Sequence, residues 1–532
     1  MVRLRQNVFD LGNDWADPVL WYARGVKAMK SRPLADPKGW TFYAAIHGID
    51  RWLWDFYGFT RKGEPDASPQ DQAIFWNQCQ HQSWYFLPWH RGYLMAIEAQ
   101  IRAEIAALGG PADDWALPYW NYFGTGQNRL PGAFLSPDWP DGAGDNPLYV
   151  VQRYGVLSTA KPYPIWTQTN LKPMGDPVFT PPAPSISVGF GGPKTGFSWS
   201  GARSGGLESN PHNMVHVLVG GQSSTGTFPP DAPNGFAGQP LEGVMADPSA
   251  AALDPIFYLH HCNIDRLWQS WNSYPADKPR SAPTDWANPT DGQWLNGPAS
   301  IGQRGFAMPT PQGGQWTYAP AQMQDIEALG YAYDDLTPGA ATAPALAVAA
   351  RGGIRATAAL AGTAERGMDK VRSEEMMAAS PEALAIRGAQ PIRSALRVAP
   401  VARDRLLLSF ASREKVPDRV YLTLENITGL SNAGAFSVYL GLPQGAQDDV
   451  TRQAHHVGGV SLFGLRQATN PDGPHGGSGI TVTLEVTEIV DRLHLGDGLD
   501  GQAINVDILP VETIPETADV RIGRISLHRQ PG

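Results

Sequence analysis

The sequence predicts a multidomain α+β protein: a mainly α-helical core over residues 1–336, an Ala/Gly/Pro-rich linker over 337–400, and a C-terminal antiparallel β-sandwich or barrel over 401–532. Three observations carry that prediction. At 532 residues the chain exceeds what one hydrophobic core usually serves. Up to about residue 336, apolar residues recur at three- and four-residue intervals in segments set between long loops rich in Gly and Pro. Towards the C-terminus the period falls to two. Val420, Leu422 and Leu424 alternate with Tyr421, Thr423 and Glu425, and Ile480, Val482, Leu484 and Val486 alternate with threonines and a glutamate.

The elements follow in chain order. Helical spacing runs over Ile74 to Gln80 and again over Gly92 to Ala107, where Gly109-Gly110 ends it. A second helix is expected to open at Pro211, because proline fits the first helical position, with Ser209 or Asn210 as cap and Gly220-Gly221 as its stop. A third is expected from Asp254-Pro255 through Trp271. Between Thr337 and Pro400 the composition turns to Ala, Gly and Pro, which reads as a linker holding at most one helix, between Thr363 and Met377. No internal repeat is evident. Strands bounded by Gly, Asn, Pro and Asp turns close the chain.

Composition narrows the function. The net charge is −10, with charges interspersed rather than in blocks, so neither a nucleic-acid footprint nor a polybasic membrane patch is indicated. No stretch is apolar enough to span a bilayer. The opening Met-Val-Arg-Leu-Arg-Gln-Asn lacks a secretory pattern, and Cys79 and Cys262 are the only cysteines, which together predict a cytoplasmic protein while leaving export by another route open. Small molecules are the expected partners.

Seven of the twelve histidines fall in three short clusters. His212 and His216 stand four apart on a predicted helix, so both imidazoles share one face. His261 and Asp265 make another four-residue step, in which the carboxylate either orients a ligand or holds local structure. His81 and His90, nine apart and separated by Pro88, are expected on a loop and at the start of the following helix, with Glu98 two turns further on. His47 supplies a third imidazole to that pair. Taken alone, each of these has a plainer reading as a packed histidine; two trios together favour metal.

Imidazole suits zinc, copper, iron and nickel, and three such ligands leave a position open for chemistry. Paired zinc hydrolases normally add carboxylates, whereas these clusters offer almost only nitrogen, which favours copper. Two copper ions ~4 Å apart, the spacing of two-metal sites, suit dioxygen as a bridging two-electron oxidant.

The stretch from His81 to Glu98, His-Gln-Ser-Trp-Tyr-Phe-Leu-Pro-Trp-His-Arg-Gly-Tyr-Leu-Met-Ala-Ile-Glu, closely resembles the first copper signature of tyrosinases and catechol oxidases. Asp254 to Arg266 resembles the second. Both are long and specific. The resemblance implies a type 3 copper fold in which His47, His81 and His90 bind one copper and His212, His216 and His261 the other, with His260 a non-ligand neighbour and dioxygen the co-substrate. It also implies a thioether between Cys79 and His81. It further casts Glu208 and Asn213 as holders of a water that deprotonates a phenol, and Pro248 as the gate above the second copper. Leu329 to Tyr333 resembles the tyrosine motif that closes the family's catalytic core. The C-terminal domain resembles shielding domains in architecture only, so a lid and a plain structural module are both expected of it. His455, His456, His475, His494 and His528 read as surface or packing residues.

The implied activity is hydroxylation of monophenols to ortho-diphenols and their oxidation to ortho-quinones. The rivals are a catechol or ortho-aminophenol oxidase without the first step, a haemocyanin-like oxygen carrier and, more distantly, a zinc hydrolase. Phenols and catechols are the implied partners, with a homo-oligomer and a copper chaperone compatible with the sequence.

Overall fold

The computed structural model describes residues 2–61, 63–163, 168–197, 203–273, 285–338, 374–398, 418–446, 448–473, 476–495 and 503–530. Its first half is built on α1 (Asp17–Lys30), α2 (Trp40–His47), α3 (Arg51–Tyr57), α4 (Pro69–Phe75), α5 (Phe86–Ala107), α6 (Met214–Gly220) and α7 (Ile256–Asn272). α5 packs against both α1 and α7 at the centre. Pro88 lies in the first turn of α5, where its missing N–H is not required, and Gly109 at φ +77° ends the run beyond the helix. α7 is capped by Asp254, whose Oδ1 accepts from the Ile256 N–H at 3.0 Å, and it is buried on nearly every side. No described helix is long and apolar enough to cross a membrane.

Three two-stranded sheets brace this core. β1 (Arg3–Arg5) pairs in parallel with β6 (Tyr331–Tyr333), while β2 (Gln222–Thr227) pairs with β3 (Pro240–Glu242) and β4 (Phe306–Pro309) with β5 (Gln315–Tyr318), both antiparallel. The C-terminal half is a nearly closed antiparallel sheet of nine strands. They are β7 (Glu375–Ala379), β8 (Leu384–Ile386), β9 (Ile392–Val398), β10 (Arg419–Thr428), β11 (Ala435–Leu440), β12 (His456–Ser461), β13 (Ile480–Glu485), β14 (Ala503–Pro510) and β15 (Val520–Gln530). Around the sheet the order is β12-β11-β14-β9-β7-β15-β10-β13, with β8 on β15.

Two expectations are corrected. The expected helix over Ile74 to Gln80 ends at Phe75, because the chain extends at Trp76 (ψ 154°) and at Asn77 takes a positive φ of 54°. The linker is shorter than 337–400: β7, β8 and β9 belong to the sheet, and Glu375–Met377, placed in a possible helix, are strand. Residues 339–373, including the rest of that helix, lie outside the described residues. In β9, Ile392, Ser394, Leu396 and Val398 alternate with Arg393, Ala395 and Arg397, a strand pattern that small residues dilute.

Each half has its own apolar core. Two residues of the C-terminal half, Ala435 and Phe463, are nonetheless packed in the core of the first half.

Candidate metal centre

The two imidazole trios assemble as expected, side by side and buried. His47 ends α2, His81 sits on the loop before α5 and His90 lies in the second turn of α5. His212 and His216 lie one turn apart across the junction into α6, and His261 lies in α7. Asn210 is extended there (φ −152°, ψ 124°), so the regular turn begins at Pro211 as predicted. The Asn210 side chain does not cap it; it accepts from the Asn170 N–H and donates to Gln168 O.

In the first group His47, His81, His90 and Cys79 each offer a ligand atom, and these lie within 4.8 Å of one another. In the second, His212, His216, His260 and His261 do the same. His90 and His261 stack at 4.3 Å and 10°, which holds the two groups against each other.

What each ring's outer nitrogen touches decides where the inner one points. A carbonyl only accepts, so His47 Nδ1 donates to Pro248 O at 2.9 Å, His90 Nδ1 to Phe86 O at 2.8 Å and His216 Nδ1 to Met245 O at 2.8 Å. His212 Nδ1 donates to the Asn213 amide oxygen at 2.7 Å, and His81 Nδ1 lies 3.1 Å from Glu208 Oε1. Each of these five rings therefore keeps the Nε2 lone pair for the centre, the arrangement that metal-bound histidines adopt. His47 Nε2 is buried without a hydrogen-bond partner.

In the second group His212 Nε2 lies 3.1 Å from His216 Nε2 and 3.2 Å from His261 Nε2. Nitrogens bound to one ion at roughly 2.0–2.1 Å stand about this far apart. Burial, reinforced in most by neighbouring imidazoles, holds all six rings below the usual histidine range, His81 down to about 3, so they are neutral donors. The donor set thus fits two ions of a metal that prefers imidazole. His260 is buried beside the second trio, stacked on His212 at 5.3 Å.

Other expected residues take different positions. Glu208 is buried beside His81 of the first group, with its carboxylate accepting from the Gln82 N–H at 2.9 and 3.1 Å. Burial pushes its carboxyl up to about 8 against the hydrogen bonds from Gln82, Ser204 and Gly205. Cys79 is buried, with Sγ 3.4 Å from His90 Nε2, and burial raises its thiol well above the usual range. Cys262 is likewise a buried free thiol.

Pro248, expected as a gate over the second group, lends its carbonyl to His47 of the first. Two roles are corrected. Asp265 orients no histidine, because the Arg91 side chain (2.5 Å), Tyr331 and Tyr333 (2.7 and 2.6 Å) and Arg5 claim its oxygens. Glu98 likewise pairs with Arg5 at 2.9 Å rather than with His90. These carboxylates, one and two turns beyond the ligands on α7 and α5, bind the helices to β1 and β6.

The sequence offered no signal for Phe463, which follows β12. Its ring stacks on His216 at 4.3 Å and 23° and lies 5.6 Å from His81 and 5.9 Å from His212. Beside it the Ser461 hydroxyl donates to Asn213 O at 2.9 Å. The C-terminal half therefore covers the metal centre with an aromatic ring.

Residues 37–185 and 179–274 match the common central domain of tyrosinase, and residues 373–530 match a domain family of unknown function. Tyrosinase HcTyr1 of Hahella sp. (strain CCB-MM4) is 30% identical, over 99% of this chain and 100% of that one. Polyphenol oxidase A1 of Vicia faba is 26% identical, over 63% of this chain and 48% of that one. Among solved structures, latent aurone synthase (TM-score 0.55, 17% identity) covers 100% of this chain and 89% of its own, and latent apple tyrosinase (0.53, 18%) covers 99% and 97%. Those two share the fold through both halves. With two neutral, all-imidazole trios at its centre and a relative aligned from end to end, the chain belongs to the tyrosinase and polyphenol oxidase family of copper oxidoreductases, which hold two copper ions.

Proposed function

We propose that the protein is a tyrosinase that hydroxylates monophenols to ortho-diphenols and oxidises these to ortho-quinones, with dioxygen as oxidant. The observation that carries this reading is the slot over His216. Phe463 fills it with a six-membered ring lying nearly flat on the imidazole, so a phenol ring fits the same space once Phe463 leaves. His47, His81 and His90 hold one copper, and His212, His216 and His261 the other. When bound, the copper pair supplies dioxygen activation and accepts electrons from the phenol.

The remaining residues supply position and proton transfer. Glu208, which reaches His81 Nδ1 from just before the extended Asn210, serves in this reading as proton acceptor, and Asn213 holds the His212 ring through Nδ1. Cys79, beside the first trio, is the thiol proposed to join His81 as a thioether.

A diphenol oxidase that does not hydroxylate is the second reading. It draws support from Glu208 already accepting two hydrogen bonds from the Gln82 N–H, which weakens it as a base. Tyrosine and a catechol offered side by side to the copper-loaded protein decide. Oxygen uptake with both supports the tyrosinase; uptake with the catechol alone supports the second reading, and reversible oxygenation without quinone points to a carrier.

The C-terminal half is proposed as a lid that keeps the full-length chain latent, because Phe463 occupies the substrate slot. The latent aurone synthase and latent apple tyrosinase share this fold through both halves. Phe463→Gly in the full-length chain is expected to raise catechol oxidation at least tenfold. An unchanged rate in a copper-loaded, folded variant sinks the lid.

A further inference from the structure

Arg466 of the C-terminal half is buried against the catalytic half. It sits in α10 (Leu465–Thr469), which, after α8 (Gly292–Asn296) and α9 (Asp449–His455), begins two residues beyond Phe463. Its Nη1 donates to Glu242 Oε2 at 2.8 Å, its Nη2 makes a short contact with Asp247 Oδ2, and its guanidinium lies 3.7 Å from the centroid of the Phe236 ring. Asn432 completes the contact: its backbone N–H donates to Glu242 Oε1 at 2.7 Å and its amide to Asp247 Oδ2 at 3.0 Å, while its Oδ1 accepts from the Arg466 N–H at 2.8 Å. Gln467 adds a donor to Asp247 Oδ1 at 3.0 Å. Arg466, Glu242, Asp247 and Asn432 are all buried.

The two carboxylates bracket a short segment with a second task. Between them Met245 O anchors His216, and immediately after Asp247 the Pro248 carbonyl anchors His47. One imidazole of each copper trio thus leans on the stretch from Glu242 to Pro248. That stretch is laid on the end of α6, backbone to backbone: Gly243 N–H donates to Gly221 O at 2.9 Å, and a Cβ at position 243 would stand 2.1 Å from Gly220 O.

A buried carboxylate without its cation is strongly unfavourable. If Arg466 is withdrawn while the lid stays in place, Asp247 keeps only the neutral donors Ser249, Asn432 and Gln467, and the uncompensated buried charge strains the segment that carries Pro248. We propose that Arg466 is a positioning residue through which the seated C-terminal domain fixes the segment from Glu242 to Pro248, and so sets His216 and His47 for copper.

The proposal rests on the copper reading only for its probe, and the test is copper uptake by the metal-free full-length protein. Arg466→Met is expected to bind copper at least tenfold more weakly than the parent, while Arg393→Met, which breaks the pair with Asp507 inside the C-terminal half, stays within twofold. Circular dichroism confirms that each variant is folded, since a merely loosened fold lowers the unfolding temperature without changing the affinity of folded protein. Should Arg466→Met not fold, Arg466→Lys replaces it: an ammonium lacks the fork that spans both carboxylates, so the same weakening is expected. Uptake within twofold of the parent by the folded Arg466 variant overturns the proposal, as does equal weakening by Arg393→Met. A copper-loaded Phe463→Gly protein that oxidises no catechol sinks the enzymatic reading and leaves the Arg466 result standing.

Discussion

Each copper-facing imidazole is aimed by whatever its other nitrogen touches, so the chemistry of the centre depends on neighbours as much as on ligands. His261→Ala is expected to leave about one copper per chain and abolish catechol oxidation, checked by metal analysis and an oxygen electrode. Asn213→Leu removes only the partner of His212 Nδ1, and its expected effect is a roughly 10–100-fold weaker second copper, the usual scale for such partners, in a titration of metal-free protein. Asp265 acts on stability instead. Burial alone raises its pKa, but Arg91, Arg5 and the Tyr333 hydroxyl outweigh that and hold it below the ordinary aspartate value. A carboxylate depressed in the folded state stabilises above its unfolded pKa of ~3.9 and loses that contribution as pH falls through the folded value. Asp265→Ala is therefore expected to lower stability at pH 7 by about 3–5 kcal/mol in denaturant titration, with a smaller loss once the pH falls through the folded value. The six ligands were legible in the sequence because metal binding demands one residue type at helical spacing. The carbonyls of Phe86, Met245 and Pro248 were not, since every residue carries one and only the fold selects among them.

At the scale of elements, α5 shows how tightly the ligand-bearing helices are set. A Cβ on Gly92, two residues after His90, would stand 2.2 Å from the Tyr318 ring, whose hydroxyl donates to Trp89 O at 2.8 Å. Gly92→Ala is expected to lower stability by about 1–3 kcal/mol, seen as a drop in Tm that Tyr318→Leu partly restores. The helix ends read correctly were the unmistakable ones: the start of α7 behind Asp254-Pro255 and the end of α5 before Gly109, whereas α5 begins at Phe86, ahead of the expected Gly92. The segment from Trp76 to Gln80 misled because its apolar spacing matches a helix, while the chain there must instead extend to deliver Cys79 and His81 to the centre. In β9, Ser394 and Ala395 hid a period-two strand inside a composition typical of linkers.

For the molecule as a whole, the two cores give separate handles. All eighteen tryptophans lie at or before Trp316, so their fluorescence reports only on the copper-binding half. Ligands that bind only the folded state stabilise it in proportion to the logarithm of their concentration. Stripping copper with a chelator is expected to lower the tryptophan-detected Tm by several degrees, and to move a β-sheet signal from the C-terminal half less. The lid was legible as an architecture but not as a contact, because no pattern in Ser461-Leu462-Phe463-Gly464 announces where its ring will land. Phe463 and Ala435 count among the apolar residues of the catalytic half itself. Lifting the cover therefore exposes a wettable hollow, shaped like an arene, above the copper centre. An aromatic guest that refills it recovers hydrophobic contact the protein once made with its own chain, so affinity for flat rings is the imprint left by the departed cover.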